Sequence, residues 1–317
     1  MTTAPTATTA HESSANWPLV DRIGLGLAWA AGISLCVIAG SIVLYMLVKG
    51  VQELNLSLLT ESPLPSIDQS RSGGFLDPIL GTIILTVLAT VIAVPLGVAT
   101  AIWLTEYGRP AGLARAVESG VEIVAGTPSI VLAIFGLLVF QEQIFALLSF
   151  EAEGGSVFGR SFLIAATMLS LLALPLVVGA TREALQSIPG HVREASYALG
   201  KSKAATIRRV LLPAIRPGIG TGATLGMGRI AGDTAIIVIL LGATLQLQGA
   251  DSTVEPFDTL RGTGSTLTSY VYVNSPAGEG NAPEKAYAAA FVLLMIVIAL
   301  NFVVDLIARR RQPAWTR

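Results

Sequence analysis

Two ionisable residues, Arg229 and Asp233, interrupt an apolar stretch that runs from Ile219 to Leu241. Their spacing of four residues places two side chains on one face of a helix. Charged groups at membrane depth are costly and usually face a bundle interior or a solute pathway. A guanidinium also matches the geometry of an oxyanion. The pair predicts either a self-neutralising structural contact, or a cation that meets an anionic solute while Asp233 restrains its charge.

A second polar group lies in the apolar stretch from Val121 to Leu148, where Thr127 and Ser129 flank Pro128. A proline inside a helix removes one backbone hydrogen bond and bends the chain. Two interpretations stay open. The hydroxyls satisfy the backbone at a packed kink, or they line a path and donate hydrogen bonds to a passing anion.

Residues that typically carry catalysis or bind metals are scarce in this chain. It has one cysteine, Cys36, and two histidines, His11 and His191. No Gly-x-x-x-x-Gly-Lys-Ser/Thr loop is present, so the chain is not expected to hydrolyse ATP itself. The sequence predicts no catalytic residue, no metal site and no cofactor held by this chain. The formal net charge of -1 gives no indication of nucleic-acid binding.

The elements that must position these groups are membrane helices. The 317 residues are 52% hydrophobic and only 13% charged, about half the charge of a typical soluble domain. Six stretches reach the roughly 20 apolar residues that span a bilayer: Ile23–Val48, Ile79–Trp103, Val121–Leu148, Phe162–Ala180, Ile219–Leu241 and Ala286–Ile307. The sequence therefore predicts an all-α integral membrane protein with six transmembrane helices.

The distribution of Lys and Arg predicts the orientation of these spans. If the amino terminus is inside, 14 of the 20 Lys and Arg residues lie on the cytoplasmic side and five lie outside. Cytoplasmic loops carry such an excess. Both termini are predicted to be cytoplasmic, and the protein is predicted to be a multi-pass component of the cell membrane.

Composition divides the chain into four parts. Residues 1–20 form a predicted disordered cytoplasmic tail, 21–72 the first transmembrane helix and an outer loop, 73–311 a core with five helices, and 312–317 a second tail. A further outer loop, Leu245–Glu284, includes the β-prone stretch Tyr270–Val273. Each outer loop is interpreted either as a solvated connector or as a surface that receives a partner.

The loop between the fourth and fifth spans contains a polar but patterned stretch, Glu194–Pro213, which we call the coupling segment. Residues from Pro189 to Leu199 favour a helix, Gly200 favours a turn, and Ala204–Leu212 favours a second helix. Small residues and a tight glycine turn suit a short helix that inserts into a cleft of a partner protein. The alternative is an amphipathic hairpin held by its basic residues at lipid headgroups.

The coupling segment resembles the EAA loop of bacterial ABC importer permeases. That pattern is Glu-Ala-Ala, three residues, Gly, nine residues, then an aliphatic residue, any residue, Leu and Pro. This chain matches it with Glu194, Ala195, Gly200, Val210, Leu212 and Pro213, and Ser196 replaces the second Ala. The resemblance implies that Glu194, Ala195, Ser196, Gly200, Leu212 and Pro213 couple the chain to an ATPase.

Three further stretches resemble permeases of phosphate importers: Gly73–Gly97, Gly126–Val131, and Arg229 with Gly232-Asp233-Thr234. The similarity covers about residues 73–310 and is greater to the A-type than to the C-type permease subunit. Asp233 replaces a usual Glu, and Ala235-Ile236 replaces a usual Ala-Pro, so the assignment to the A type or the C type stays open.

The resemblance implies a partner set and a solute. The partners are a second, C-type-like permease subunit, two cytoplasmic ATPase subunits that use ATP and magnesium, an extracytoplasmic phosphate-binding protein and membrane lipid. Arg229, Asp233, Thr127 and Ser129 are the residues predicted to line the substrate path. The alternatives are an ABC permease for another oxyanion such as molybdate or sulfate, and a secondary transporter or channel that needs no ATPase.

Overall fold

The structure is a computed structural model that describes residues 18–63, 73–149, 159–242, 256–276, 278, 280 and 282–309. The predicted tails lie almost wholly outside these residues, as do parts of both predicted outer loops. The described residues form helices and contain no strand. In chain order the α-helices are α1 (Leu19–Glu53), α2 (Leu56–Thr60), α3 (Leu76–Ile102), α4 (Ala111–Gly126), α5 (Ser129–Phe140), α6 (Phe162–Gln186), α7 (Gly190–Ala198), α8 (Lys203–Thr206), α9 (Leu212–Ala214), α10 (Arg216–Gly232), α11 (Ala235–Leu240), α12 (Pro256–Arg261), α13 (Leu267–Asn274) and α14 (Pro283–Arg309).

Four of these helices are long and apolar enough to cross a membrane by themselves: α1, α3 with the π turn that follows it to Tyr107, α6 and α14. They confirm four of the predicted spans. The chain forms two units, residues 1–48 and 49–317. Within the first unit, α1 exposes apolar side chains along its length, which is the pattern of a helix that faces lipid.

The third predicted span, Val121–Leu148, is not one helix. It consists of α4 and α5, which meet at an angle of 110°, and a 3₁₀ turn at Gln143–Leu148 follows α5. Thr127 and Pro128 both adopt extended backbone angles at the junction. A proline disfavours helical angles in the residue before it, so the helix ends at Gly126 and a new one begins at Ser129.

The fifth predicted span, Ile219–Leu241, is also interrupted. Helix α10 ends at Gly232, and Asp233 is extended with φ −81° and ψ 121°. The Asp233 carboxylate then accepts the backbone N–H of Ile236 at 2.9 Å and caps α11. A side-chain cap of this kind stabilises the start of a new helix. The prediction that Arg229 and Asp233 share one helix face is therefore wrong.

The predicted β-prone stretch Tyr270–Val273 is helical and lies in α13. Thr266 and Ser269 form a reciprocal capping box at the start of this helix, and Tyr270 is fully buried against Phe75. Capping and burial together outweigh the local strand preference of the aromatic and β-branched residues.

Helices α3, α6 and α10 pack closely in the second unit. Every fourth residue of α10 from Gly218 to Gly226 is a glycine, and this stripe faces the alanines of α6. A Cβ atom built on Gly218 lies 2.3 Å from the Cβ of Ala184. Small residues at such contacts let two membrane helices approach each other.

Gly218→Ala should therefore destabilise the protein by about 1–3 kcal/mol, because the added methyl group forces the two backbones apart. Thermal unfolding in detergent measures this change. Gly179→Ala is the matched control on α6, since a Cβ at Gly179 has no atom within 4 Å. Equal melting temperatures for the two variants would contradict the close contact.

Candidate functional site

The coupling segment begins within α7 and turns at Gly200. The Gly200 backbone is left-handed, with φ +73°, a conformation that glycine adopts without a Cβ clash. Ser202 then caps α8 by accepting the N–H of Ala205. The predicted order of helix, glycine turn and helix is confirmed.

The second helical stretch differs from the regular helix predicted for Ala204–Leu212. It runs from Lys203 to Ala214 and includes a π turn at Ile207–Leu211. Pro213 lacks the N–H that an α-helix would direct to the carbonyl four residues earlier. The wider π turn just before Pro213 accommodates this missing donor.

The coupling segment has an exposed side and a buried side. Glu194, Ala195 and Gly200 are exposed, and so are Tyr197 at 43% and Leu199 at 78%. These residues form an acidic and apolar surface with no covering element among the described residues of this unit.

The buried side explains the serine at position 196. The Ser196 hydroxyl is buried and lies 2.9 Å from the hydroxyl of Thr206. Thr206 donates its own hydrogen to the carbonyl of Ser202 at 3.1 Å, so Ser196 is the donor in the pair. Leu212 and Pro213 are half-buried, and Leu212 packs against a cluster formed by Leu185, Ile207, Leu211 and Ile215. Of the predicted coupling residues, Glu194, Ala195 and Gly200 therefore lie on the exposed surface. Ser196, Leu212 and Pro213 pack beneath it.

An ion pair that sequence reasoning did not identify fixes α7 to the end of α3. Arg193 donates through Nε to Oε1 of the Glu106 carboxylate at 3.0 Å, and its Nη2 atom lies 3.0 Å from the same oxygen. Arg193 also donates to the carbonyls of Leu185 and Ile188 at the end of α6, at 3.0 and 2.9 Å. The Glu106 side chain is only 6% exposed. Glu106 and Arg193 are 87 residues apart in the chain, so no local pattern indicates their contact.

Lys203 attaches the second helix of the coupling segment to the same turn. Its ammonium group donates to the backbone carbonyl of Glu106 and lies 4.6 Å from the centre of the Tyr107 ring, a distance typical of a cation–π contact. A cavity of about 700 Å³ beside this turn is lined by Trp103, Glu106, Tyr107, Arg109 and Lys203.

The residues predicted to line the substrate path lie at the two helix breaks. Arg229 is exposed and makes no hydrogen bond or ion pair within the described residues, whereas Asp233 is 5% exposed and caps α11. The structure does not bring these two groups together as a pair. Arg229 instead shares an exposed stripe of α10 with Thr221, Leu225, Gly228 and Gly232.

Thr127 and Ser129 flank the other break. The Thr127 hydroxyl donates to the carbonyl of Ile123 at 2.7 Å and so satisfies the last turn of α4. Ser129 is the first residue of α5, and its hydroxyl makes no hydrogen bond within the described part of the chain. The first N–H groups of a helix carry partial positive charge and favour anions. Helix α5 packs against α6 and α11.

Comparisons with known proteins agree with the resemblance seen in the sequence. Residues 93–317 match the family described as binding-protein-dependent transport system inner membrane component. Phosphate transport system permease protein PstA 1 of Mycobacterium tuberculosis is 34% identical over 252 residues, 78% of this chain and 75% of that protein. Phosphate transport system permease protein PstC of Mesorhizobium japonicum is 31% identical over 240 residues, 71% of this chain and 72% of that protein.

Solved structures agree on the fold. A chain of a bacterial alginate ABC transporter, solved in complex with an alginate pentasaccharide-bound periplasmic protein, superposes with a TM-score of 0.61. The alignment covers 92% of this chain and 97% of that chain at 16% identity. At this identity the likeness concerns the fold alone.

Replacing the Ser196 hydroxyl tests the buried side of the coupling segment. Ser196→Ala removes a donor from the buried Thr206 oxygen and should cost about 0.5–1.5 kcal/mol of stability. The double variant Ser196→Ala/Thr206→Val should recover part of that loss in a double-mutant cycle. Thermal unfolding measures both variants, and Ser187→Ala, at an exposed hydroxyl that bonds only locally, is the control. Strictly additive effects at positions 196 and 206 would contradict the pairing.

Proposed function

Because the chain belongs to the family of binding-protein-dependent transport system inner membrane components, we propose that it is a membrane permease subunit of an ATP-driven phosphate importer. The observation that carries this proposal is the coupling segment. It exposes Glu194 and its small neighbours on helix α7, whose buried side is held by contacts of Arg193 and Ser196. The phosphate assignment is supported by the relatives, whose names include both the A-type and the C-type permease of phosphate transport systems.

The proposed complex contains two different permease subunits, of which this chain is one, two cytoplasmic ATPase subunits and an extracytoplasmic phosphate-binding protein. In this proposal the chain has six spans with both termini inside, so the coupling segment lies in the cytoplasm, where ATP is available. ATP and magnesium belong to the ATPase subunits in this proposal, and this chain contributes half of the pathway and the coupling.

The exposed face of the coupling segment suits a docking role. Glu194 offers a negative charge to a cationic partner, and Leu199 and Tyr197 offer apolar surface. An acidic residue beside exposed apolar side chains combines steering with burial on association.

In the proposed pathway, Arg229 acts without Asp233. Arg229 has no hydrogen-bond or ion-pair partner among the described residues, and an arginine at membrane depth needs water, an anion or another protein group opposite it. The broken helix at Thr127–Pro128 supplies a second group, since the start of α5 presents the Ser129 hydroxyl and free backbone donors. Interrupted membrane helices whose amino termini face an anionic solute are a recurring arrangement in transporters.

The proposed mechanism converts ATPase closure into rocking of the membrane helices. Closure of the ATPase subunits displaces the coupling segment, and the helices attached to it tilt as rigid bodies. The pathway opens outward and receives phosphate from the docked binding protein. Arg229 then offsets part of the cost of taking the anion out of water, while the binding protein provides most of the selectivity.

The same chemistry also fits another tetrahedral oxyanion, because a guanidinium and a helix amino terminus recognise charge and oxygen geometry rather than the central atom. Molybdate and sulfate are therefore the second candidates. The names of the relatives favour phosphate.

Arg229→Gln should reduce phosphate import by about tenfold or more, because one charge-assisted contact worth about 1.5–3 kcal/mol is lost from the path. Uptake into proteoliposomes that contain the assembled complex measures the change. Arg115→Gln, at an exposed arginine of α4, should import at the parental rate. Parental import by an assembled Arg229→Gln complex would rule out the pathway role.

Glu194→Lys should release the ATPase subunits, because it places a cation against the cationic surface expected in the partner. Co-purification with the tagged permease and the rate of ATP hydrolysis are the readouts. Glu122→Lys is the charge-matched control at an exposed acid of α4. Retained co-purification together with transport-stimulated hydrolysis in Glu194→Lys would contradict the docking role.

A further inference from the structure

We propose that Glu106 and Arg193, assisted by Lys203, form a clamp that makes helix α3 move together with the coupling segment. This inference rests on the proposed function and adds positioning residues to it. The clamp gives the ATPase a direct mechanical connection to the second predicted span, in addition to the chain connection through α9 into α10.

Arg193 is held on two sides at once. Its guanidinium makes hydrogen bonds to the Glu106 carboxylate after α3 and to two carbonyls at the end of α6. The side chains of Arg193 and Glu106 are 19% and 6% exposed. A planar guanidinium can satisfy acceptors in several directions, which a lysine ammonium at the same position does not reproduce.

Lys203 completes the clamp from the helical arm of the coupling segment that follows Gly200. Arg193 precedes the Gly200 turn and Lys203 follows it, yet both reach the turn formed by Glu106 and Tyr107. Helix α7, which carries Arg193, and the arm of the coupling segment after Gly200 therefore converge on one point after α3. Ile102, the last residue of α3, also packs against an apolar cluster that includes Ile207 and Leu211, so the clamp adds polar contacts to an apolar one.

Two neighbouring residues of α7 have different proposed roles, one in docking the ATPase and one in attaching α7 to the end of α3. Glu194 is exposed on the face proposed to meet the ATPase, whereas Arg193 is turned inward to Glu106. A force applied at Glu194 is thus transmitted through one residue to the end of α3. Helix α3 packs along much of α6, which allows the displacement to reach the bundle as a rigid-body movement.

The clamp differs from a second ion pair in the described residues, Arg182–Glu118. That pair joins α6 to α4, and both of its side chains are 37% exposed. Exposed pairs contribute little and weaken in salt, whereas loss of one partner of a buried pair leaves an uncompensated charge. The Arg182–Glu118 pair also makes no contact with the coupling segment in the described residues, so it provides a matched control.

The test uses Glu106→Gln and Arg193→Lys in the tagged, complete transporter reconstituted into proteoliposomes. The measured quantity is the number of phosphate ions imported per ATP hydrolysed. We expect this ratio to fall by about tenfold in both variants, within the range of coupling between linked sites, while the ATPase subunits still co-purify because Glu194 is unchanged. Glu118→Gln should keep the parental ratio.

Hydrogen exchange on the same complexes provides a readout that does not depend on transport. The amides of α7 and of the turn at Trp103–Tyr107 should exchange faster in Glu106→Gln than in the parental complex. Glu106→Asp keeps the charge and should restore part of the import ratio, which a general loss of folding would not allow.

The outcomes separate the clamp from the proposed function. A parental import ratio in Glu106→Gln, or loss of the ATPase subunits from that variant, would overturn the clamp, because either result removes transmission as its role. If Glu194→Lys also kept its ATPase, the docking proposal itself would fail. Release of the ATPase by Glu194→Lys, together with an assembled but uncoupled Glu106→Gln complex, supports both.

Discussion

A charged group that is removed from water needs hydrogen-bond or ion-pair partners in the protein. The Glu106 carboxylate is such a group, and the position of the coupling segment depends on its partner. The carboxylate is almost fully buried after a long apolar helix, and its partner Arg193 comes from a segment 87 residues away. The requirement to pair the two charges fixes α7 to α3 and α6. It thereby orients the neighbouring residue Glu194 outward, so the exposed face of the coupling segment depends on a contact behind it.

The same constraint acts on the backbone at the two broken helices. Membrane-buried N–H and C=O groups need partners, and each break supplies some of them locally. The Thr127 hydroxyl donates a hydrogen bond to a backbone carbonyl of α4, and the Asp233 carboxylate accepts one from a backbone N–H of α11. These local solutions leave Ser129 and Arg229 with unused donors within the described residues. Within the described residues, Ser129 and Arg229 are therefore the groups near the helix breaks whose donors remain available to bind an anion.

Much of the fold follows from sequence because lipid imposes a length on apolar runs. Helices α1, α3, α6 and α14 lie where uninterrupted apolar stretches predict them, and Gly200 marks the turn of the coupling segment. The two helix breaks are harder to predict from sequence. A proline at position 128 permits either a mild kink or the observed bend of 110°. An aspartate at position 233 is compatible both with a position on a helix face and with a helix cap. The Glu106–Arg193 contact has no local signature at all. It arises from tertiary packing, as does the helical state of Tyr270–Val273.

We conclude that this chain is a membrane permease subunit of an importer that uses ATP to take up phosphate. The most direct test is uptake of radiolabelled phosphate by proteoliposomes that contain the purified complex, with ATP supplied on the side of the coupling segment and unlabelled oxyanions as competitors. The account predicts uptake that requires ATP and the binding protein and that phosphate suppresses far more strongly than sulfate or molybdate. Uptake without ATP, or preferential suppression by sulfate or molybdate, would contradict it.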